Sequence, residues 1–208
     1  MIYKLKDWID INKIDWCILS KNTNAIHLLE KNNYKIYWVY LSNNLNAIDL
    51  ISKNMDKIDW NGLSENPNAI HILEKNYNKI NWSMLSENPN AIHLLEKNMD
   101  KIVWYWLSGN SNAMMLLEQY NDKISWDVLS TNPNALMLLE NNMNKIYWDY
   151  LSFNPNAIHL LEKNKDKINW TTLSKNPSIF ELDYEALEKR CNIYKEELMI
   201  KALHLILI

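Results

Sequence analysis

Eight tryptophans recur at intervals of 22 residues, and this spacing constrains the fold of the 208-residue chain more than any other feature. They are Trp16, Trp38, Trp60, Trp82, Trp104, Trp126, Trp148 and Trp170. Self-similarity at a short fixed period predicts an array of repeats in which each unit packs on its neighbours. We therefore expect a repeat protein, which has an extended surface rather than a single deep catalytic centre.

The repeated unit contains the signals of two short helices. With the tryptophan as position 0, every unit has leucine at +3, serine at +4 and asparagine at +6. Asparagine is a strong N-cap and proline suits the first helical turn, so Asn66-Pro67 predicts a helix that runs to about Lys75. A shorter helix should begin at each tryptophan, and residues directly before a tryptophan can cap it, as at Asp59, Asn81, Ser125 and Asn169.

Helices of this length are marginal in water by themselves, so neighbouring units must bury them. A leucine-rich repeat has a similar period, but its strand needs apolar residues at positions +1 and +8, where this chain has mostly polar ones. We therefore predict an all-α fold, an α-solenoid of short helical hairpins with about eight repeats. Residues 1–15 form the expected N-terminal cap with Trp8, Ile11 and Ile14, residues 16–177 the repeats, and residues 178–208 a C-terminal helical cap.

Composition excludes several functions. The net charge of −3 and the pI near 6.0 argue against a general nucleic-acid binder. Two glycines are too few for a phosphate-binding loop, so no nucleotide cofactor is expected. Two distant cysteines, Cys17 and Cys191, fit a reducing intracellular compartment. No apolar run is long enough for a transmembrane helix, but the apolar stretch 202–208 could be a packed helix or a self-association edge.

The unit Trp-x-x-Leu-Ser-x-Asn-Pro-Asn-Ala-Ile-x-Leu-Leu-Glu-x-Asn-x-x-Lys-Ile resembles a short repeat family abundant in giant DNA viruses of amoebae (mimivirus-like) and related large DNA viruses. The resemblance covers roughly residues 8–203, including the tail around residues 179–184 and 194–198. It implies a helical repeat and a viral origin, with the host cytoplasm or the virion as the place of action. It transfers no catalytic residue.

Three ladders of identical residues suggest chemistry, and each has a simpler structural interpretation. Histidines at +11 lack the close companions of a zinc site, and the serines at +4 lack a base at a fixed offset. Lysines at +19 could contact successive phosphates of a nucleic acid, but acids at +14 and +18 would neutralise the charge of these lysines. These lysines are Lys35, Lys57, Lys79, Lys101, Lys123, Lys145 and Lys167. The sequence therefore predicts no enzyme and no metal site.

The positions that vary within the constant scaffold, +1, +2, +5, +11 and +17, are the candidate binding surface. The fifth unit and its neighbour carry aromatic and methionine residues there, which are typical of interfaces. The candidate partner-binding residues are Tyr105, Trp106, Met115, Tyr120 and Met137. We expect a non-enzymatic scaffold that binds a host or viral protein or peptide. The alternatives are a nucleic-acid binder along the lysine edge and a structural protein that assembles through its C-terminus.

Overall fold

The computed structural model describes the backbone of residues 3–206 and the side chains of residues 3–200. Regular structure in this part of the chain is entirely helical, and no strand is present in it. Short helices follow one another with the 22-residue period, and consecutive units pack side by side. The predicted all-α α-solenoid is confirmed, and the strand that a leucine-rich repeat needs is not formed in the described units.

Every unit has a first helix that begins at the tryptophan, and the first seven units have a second helix that begins at position +10. In chain order the helices are α1 (Trp16–Leu19), α2 (Ile26–Lys31), α3 (Trp38–Ser42), α4 (Ile48–Ser52), α5 (Trp60–Glu65), α6 (Ile70–Lys75), α7 (Trp82–Glu87), α8 (Ile92–Glu96), α9 (Trp104–Gly109), α10 (Met114–Gln119), α11 (Trp126–Thr131), α12 (Leu136–Glu140), α13 (Trp148–Leu151), α14 (Ile158–Lys163), α15 (Trp170–Leu173) and α16 (Tyr184–Ile206).

Short 3-10 turns complete the array. One precedes α1, six of them follow second helices, and one lies before α16: Ile11–Lys13, Asn33–Lys35, Tyr77–Lys79, Met99–Lys101, Asn121–Lys123, Met143–Lys145, Lys165–Lys167 and Pro177–Ile179. The six that follow second helices span positions +17 to +19, which the sequence pattern had not identified as a separate element. Each unit is therefore a hairpin followed, in most cases, by a tight turn that leads to the next tryptophan.

The second helix begins later than the Asn-Pro signal predicts. In the third unit α6 begins at Ile70, and its N-cap residue Ala69 receives no side-chain hydrogen bond. Asn66 instead ends α5, and its Oδ1 accepts the backbone N–H of Asn68 at 3.0 Å, which makes an Asx turn. The predicted start after Asn66 is wrong, because the asparagine amide is directed to the preceding unit and its oxygen supports a turn.

The first helices have three of their four predicted caps. Asp59 accepts from the Gly62 N–H, Asn81 from those of Ser83 and Met84, and Asn169 from that of Thr172. Ser125 makes no capping hydrogen bond, because its hydroxyl donates to the Asp127 carboxylate. The serine prediction is therefore wrong, and the other three are confirmed.

The core is a continuous ladder of small and branched apolar residues. Leucine at +3 and alanine at +9 are buried in the internal units, together with the apolar residue at +13. The internal tryptophans are half-buried and pack against this ladder. Consecutive first helices, from α3 to α13, pack directly on one another. Burial of this ladder supplies the stability that helices of four to six residues lack.

Serine at +4 joins each unit to the start of the next. Ser108 Oγ donates to the Trp104 carbonyl at 2.8 Å and accepts the Ser125 N–H at 3.0 Å. The same accepted bond recurs at every serine from Ser20 to Ser152. This repeated geometry gives the serine ladder a structural explanation, as a link between units.

Asparagine at +6 makes the second link, in the direction of the preceding unit. Asn110 Nδ2 donates to the carbonyls of Ser86 and Asn88 at 3.0 and 2.9 Å, and its Oδ1 accepts the Asn112 N–H. All of the asparagines at +6 from the second unit to the eighth donate to the +4 carbonyl one unit back. Buried side chains of this kind must be hydrogen-bonded, so the ladder fixes the register between units.

The two ends differ in how they meet the array. Ile11 and Ile14 are half-buried as expected, but Trp8 is 81% exposed and does not cover the first unit. The C-terminal segment is helical as predicted, yet its side chains from residue 178 to 200 are exposed and Trp170 is 65% exposed. A capping role for residues 178–208 stays a prediction. The side chains of the apolar stretch 202–208 lie outside the described residues.

Candidate functional site

Positions +1, +2 and +5 of the units form a surface whose residues are mostly exposed or half-buried, apart from the buried Gly62, and which we call the first-helix face. A helix turns 100° per residue, so these positions lie opposite the buried leucine at +3 and serine at +4. Large apolar residues that are exposed on this face are Ile18, Val39, Tyr105, Trp106, Tyr150 and Phe153. A surface of this kind is more apolar than a solvated helix needs to be, which makes it a candidate for binding.

Two of the predicted binding residues meet on this face. The rings of Tyr105 and Trp106 make an edge contact with centroids 5.1 Å apart. Tyr105 is 47% exposed and Trp106 is 36% exposed. Gly109 follows at +5, where a methyl group would lie 3.1 Å from Val128 Cγ1, so the small residue preserves close packing of the two helices. The result is an aromatic pair whose outer edges face solvent.

A second aromatic group lies two units further along, and the sequence analysis did not single it out. Tyr147 and Tyr150 stack with centroids 6.5 Å apart, and Phe153, which follows the helix three residues after Tyr150, is also exposed. The signal that could have found it is the occurrence of aromatics at both +2 and +5 of the seventh unit. The first-helix face therefore has two aromatic clusters rather than one.

Met115 and Met137 lie on the second helices, at position +11 of adjacent units. They are 84% and 73% exposed. Contacts at the same position show how this surface is built, because His93 Nε2 lies 3.0 Å from Glu74 Oε1 and His159 Nε2 lies 2.8 Å from Glu140 Oε1. The +11 side chain thus meets the +14 glutamate of the preceding unit, and the two methionines continue this row without a charge partner.

Tyr120 has a packing role that the sequence did not predict. Its ring lies 5.3 Å from that of Trp104, and it is half-buried against the core. Other units have asparagine at this position, where the amide donates to the carbonyl four residues earlier, as from Asn98 to Leu94. The predicted group therefore divides into an aromatic pair on α9, a methionine pair on α10 and α12, and a tyrosine that supports the scaffold; partner binding by any of them stays a prediction.

The lysine edge is largely engaged by the tryptophans. Five of the lysines at +19 place Nζ 4.4 to 5.4 Å from the centroid of the tryptophan that begins their own unit: Lys35, Lys57, Lys123, Lys145 and Lys167. Such cation–π contacts stabilise by about 0.5–1 kcal/mol at exposed sites. The prediction that acids neutralise this edge was therefore incomplete, because most of these lysines lie over tryptophan rings.

Two glutamates give the first-helix face a local negative charge. Glu65 and Glu87 are both exposed at position +5 of the third and fourth units. Glu87 is nevertheless partly desolvated by its surroundings, and this desolvation, and secondly the neighbouring Glu65 carboxylate, raise its pKa above the ordinary value. The charged form of Glu87 is thus disfavoured by its surroundings, and a cation placed there would relieve the repulsion.

Among the side chains of residues 3–200, no three histidine, cysteine or acidic groups converge as metal ligands would. No helix within residues 3–206 is long and apolar enough to cross a membrane. Cys17 and Cys191 are both free thiols. No protein-family model, curated protein or solved structure matches the chain. The resemblance to the viral repeat family therefore stays a prediction from the repeated motif.

Proposed function

We propose that this protein is a non-enzymatic scaffold that binds a protein or peptide partner through its variable surface positions. The observation that carries the proposal is the contrast between a constant framework and a variable face. Serine, asparagine and leucine hold every unit in the same geometry, while positions +1, +2, +5 and +11 present different exposed residues. A framework of this kind displays side chains rigidly, so little conformational freedom is lost on binding.

The exposed aromatics support the choice of a protein partner. Trp106 and Tyr105 are residue types that contribute most of the affinity in protein interfaces when a partner covers them. The two rings contact each other and are held on one short helix, so they form a preorganised group. The methionines at +11 offer a second, adaptable surface on another helix.

The engagement of the lysines weighs against nucleic acid as the partner. Lysines that lie over tryptophan rings are less available for phosphates, and acids alternate with them along the chain. Contacts to phosphates would give affinity that falls steeply with salt concentration. Binding of RNA or DNA with such a salt dependence would favour this alternative, and recovery of only the protein itself would favour self-assembly.

A pull-down from host-cell lysate, read by mass spectrometry, tests the proposal. The wild-type protein is compared with a Tyr105→Ala/Trp106→Ala variant and, separately, with a Met115→Ala/Met137→Ala variant. All of these residues are at least one-third exposed, so both variants should keep the wild-type circular dichroism spectrum. A protein recovered by wild type and lost with one variant supports the scaffold and locates its face. If every recovered protein is retained by both variants, the proposed function is wrong.

A further inference from the structure

Neighbouring units place their +5 and +2 side chains in contact. Lys21 at +5 lies with Nζ 4.2 Å from the ring centroid of Tyr40 at +2 of the next unit. A methyl group on Gly62 at +2 would lie 2.7 Å from Asn43 Oδ1, at +5 of the preceding unit. The contact is therefore a property of the stacking and recurs along the array.

Position +5 also meets position +5 of the next unit. Asn43 Nδ2 donates to Glu65 Oε2 at 3.3 Å across one repeat. The same register places Glu65 beside Glu87, which agrees with the effect of the Glu65 charge on the pKa of Glu87. By the +5/+2 register of Lys21 with Tyr40 and of Asn43 with Gly62, Glu87 at +5 corresponds to Trp106 at +2 of the following unit.

The contact between position +5 and position +2 of the next unit therefore involves different residue types at the start and in the middle of the array. Where the first and second units have the Lys21 ammonium over the Tyr40 ring, the corresponding positions of the fourth and fifth units have a carboxylate, Glu87, and an indole, Trp106. The face contains no lysine or arginine at +1, +2 or +5 from the third unit to the seventh, but four acids: Glu65, Glu87, Asp127 and Asp149. An aromatic ring and a carboxylate together are the groups that recognise a guanidinium or ammonium group.

We propose that the first-helix face binds a basic peptide segment of the partner, with one cationic side chain between Glu87 and Trp106. This inference rests on the proposed function and names the chemistry of its partner. Arginine fits best, because its planar group stacks on an indole ring while its N–H groups donate to a carboxylate. Glu65 provides a second carboxylate one unit away for the next cation.

The spacing of the units favours an extended segment. Packed helices lie about 8–10 Å apart, and a chain in the extended polyproline II conformation advances about 3.1 Å per residue with three residues per turn, so every third side chain lies on the same side. About three peptide residues therefore span one unit, so cations at every third position would follow the acids from unit to unit. Twelve residues of this kind cover roughly four units, enough to reach from Glu65 to the aromatic cluster around Tyr150.

Fluorescence anisotropy with a labelled peptide of four Arg-Gly-Ser repeats tests the inference, with a peptide of four Glu-Gly-Ser repeats as the ligand control. We expect the arginine peptide to bind wild type at low ionic strength and the glutamate peptide not to bind. The Glu65→Gln/Glu87→Gln variant should bind about tenfold more weakly. The matched control is Glu96→Gln/Glu118→Gln, which removes the same charge from exposed positions of the second helices and should change affinity less than about twofold.

Equal weakening by the two variants would mean that the peptide responds only to net charge, and would overturn the inference. So would failure of the arginine peptide to bind wild type. The lysate experiment separates this failure from that of the proposed function. If a partner is lost with Tyr105→Ala/Trp106→Ala but fully retained by Glu65→Gln/Glu87→Gln, the proposed scaffold function stands. The inference that the partner binds through a basic segment is then wrong.

Discussion

Replacement of Asn110 tests what holds one unit on the next. The side chain is 2% exposed, and it makes three hydrogen bonds within the array. Its Nδ2 donates to the Ser86 and Asn88 carbonyls at 3.0 and 2.9 Å, and its Oδ1 accepts the Asn112 N–H at 3.0 Å. Substitution should therefore destabilise the junction between the fourth and fifth units without touching the exposed face.

Two substitutions at Asn110 distinguish hydrogen bonding from packing. Asn110→Ala removes three bonds of about 0.5–1.5 kcal/mol each, so we expect a loss of about 2–4 kcal/mol in the free energy of unfolding. Asn110→Asp preserves the shape but directs a carboxylate oxygen at two carbonyls, and an unpaired buried charge costs about 3–5 kcal/mol. If packing alone mattered, aspartate would be tolerated better than alanine, because it leaves no cavity.

The assay is urea unfolding at neutral pH, followed by tryptophan fluorescence and far-UV circular dichroism. Asn112→Ala is the matched control, because this exposed asparagine also donates to the preceding unit, at 2.9 Å to the Pro89 carbonyl. It should cost less than about 1 kcal/mol, as exposed substitutions usually do. An Asn110→Asp protein that is more stable than Asn110→Ala, or within about 1 kcal/mol of wild type, would refute the reasoning.

Three further measurements test the framework and its charges. Ser108→Ala removes the hydroxyl that links its own helix to the next first helix, and should lower the free energy of unfolding in urea by about 1–3 kcal/mol. Trp126→Ala should cost about 3–5 kcal/mol in the same assay. Trp170→Ala should cost less than half of that, because Trp170 is 65% exposed, and equal costs would contradict the packing described. Glu87→Gln should raise the Tm at neutral pH, because the folded protein binds the Glu87 proton more tightly than the unfolded chain does. That stabilisation by the bound proton is complete below the ordinary pKa of 4.5 and is lost as the pH rises, so a gain in Tm that persists below about pH 4 would contradict it.

Sequence patterns within one unit predicted the helical repeat, but they did not predict the hydrogen bonds between units. The period of the tryptophans and the apolar spacing defined the helical units, and Asp59 and Asn81 cap as expected because a cap acts within one turn. Asn66 resembled a cap by the same rule. Its amide instead donates to Ser42 and Asn44, which are more than twenty residues earlier in the chain. No pattern within one unit reveals such a bond, because it depends on how units stack.

The candidate site shows the same division. The sequence predicted that Tyr105 and Trp106 would lie on a variable surface, and their exposure agrees with that prediction. It grouped Tyr120 with them, although that ring packs on Trp104. It did not find the cluster around Tyr150, although Tyr147 and Tyr150 are only three residues apart and their contact lies within one helical turn.

The sequence by itself determined the period, the all-α class and the positions that are buried, because these follow from the spacing of apolar residues within a single helix. Only the tertiary structure decided which side chains of different units meet. Stacking makes residues 17 to 24 positions apart into neighbours, and it turns serine and asparagine into links and Glu87 and Trp106 into one surface. The physical reason is that a short helix specifies its own buried side, whereas its neighbours are specified by the packing and hydrogen bonds between units.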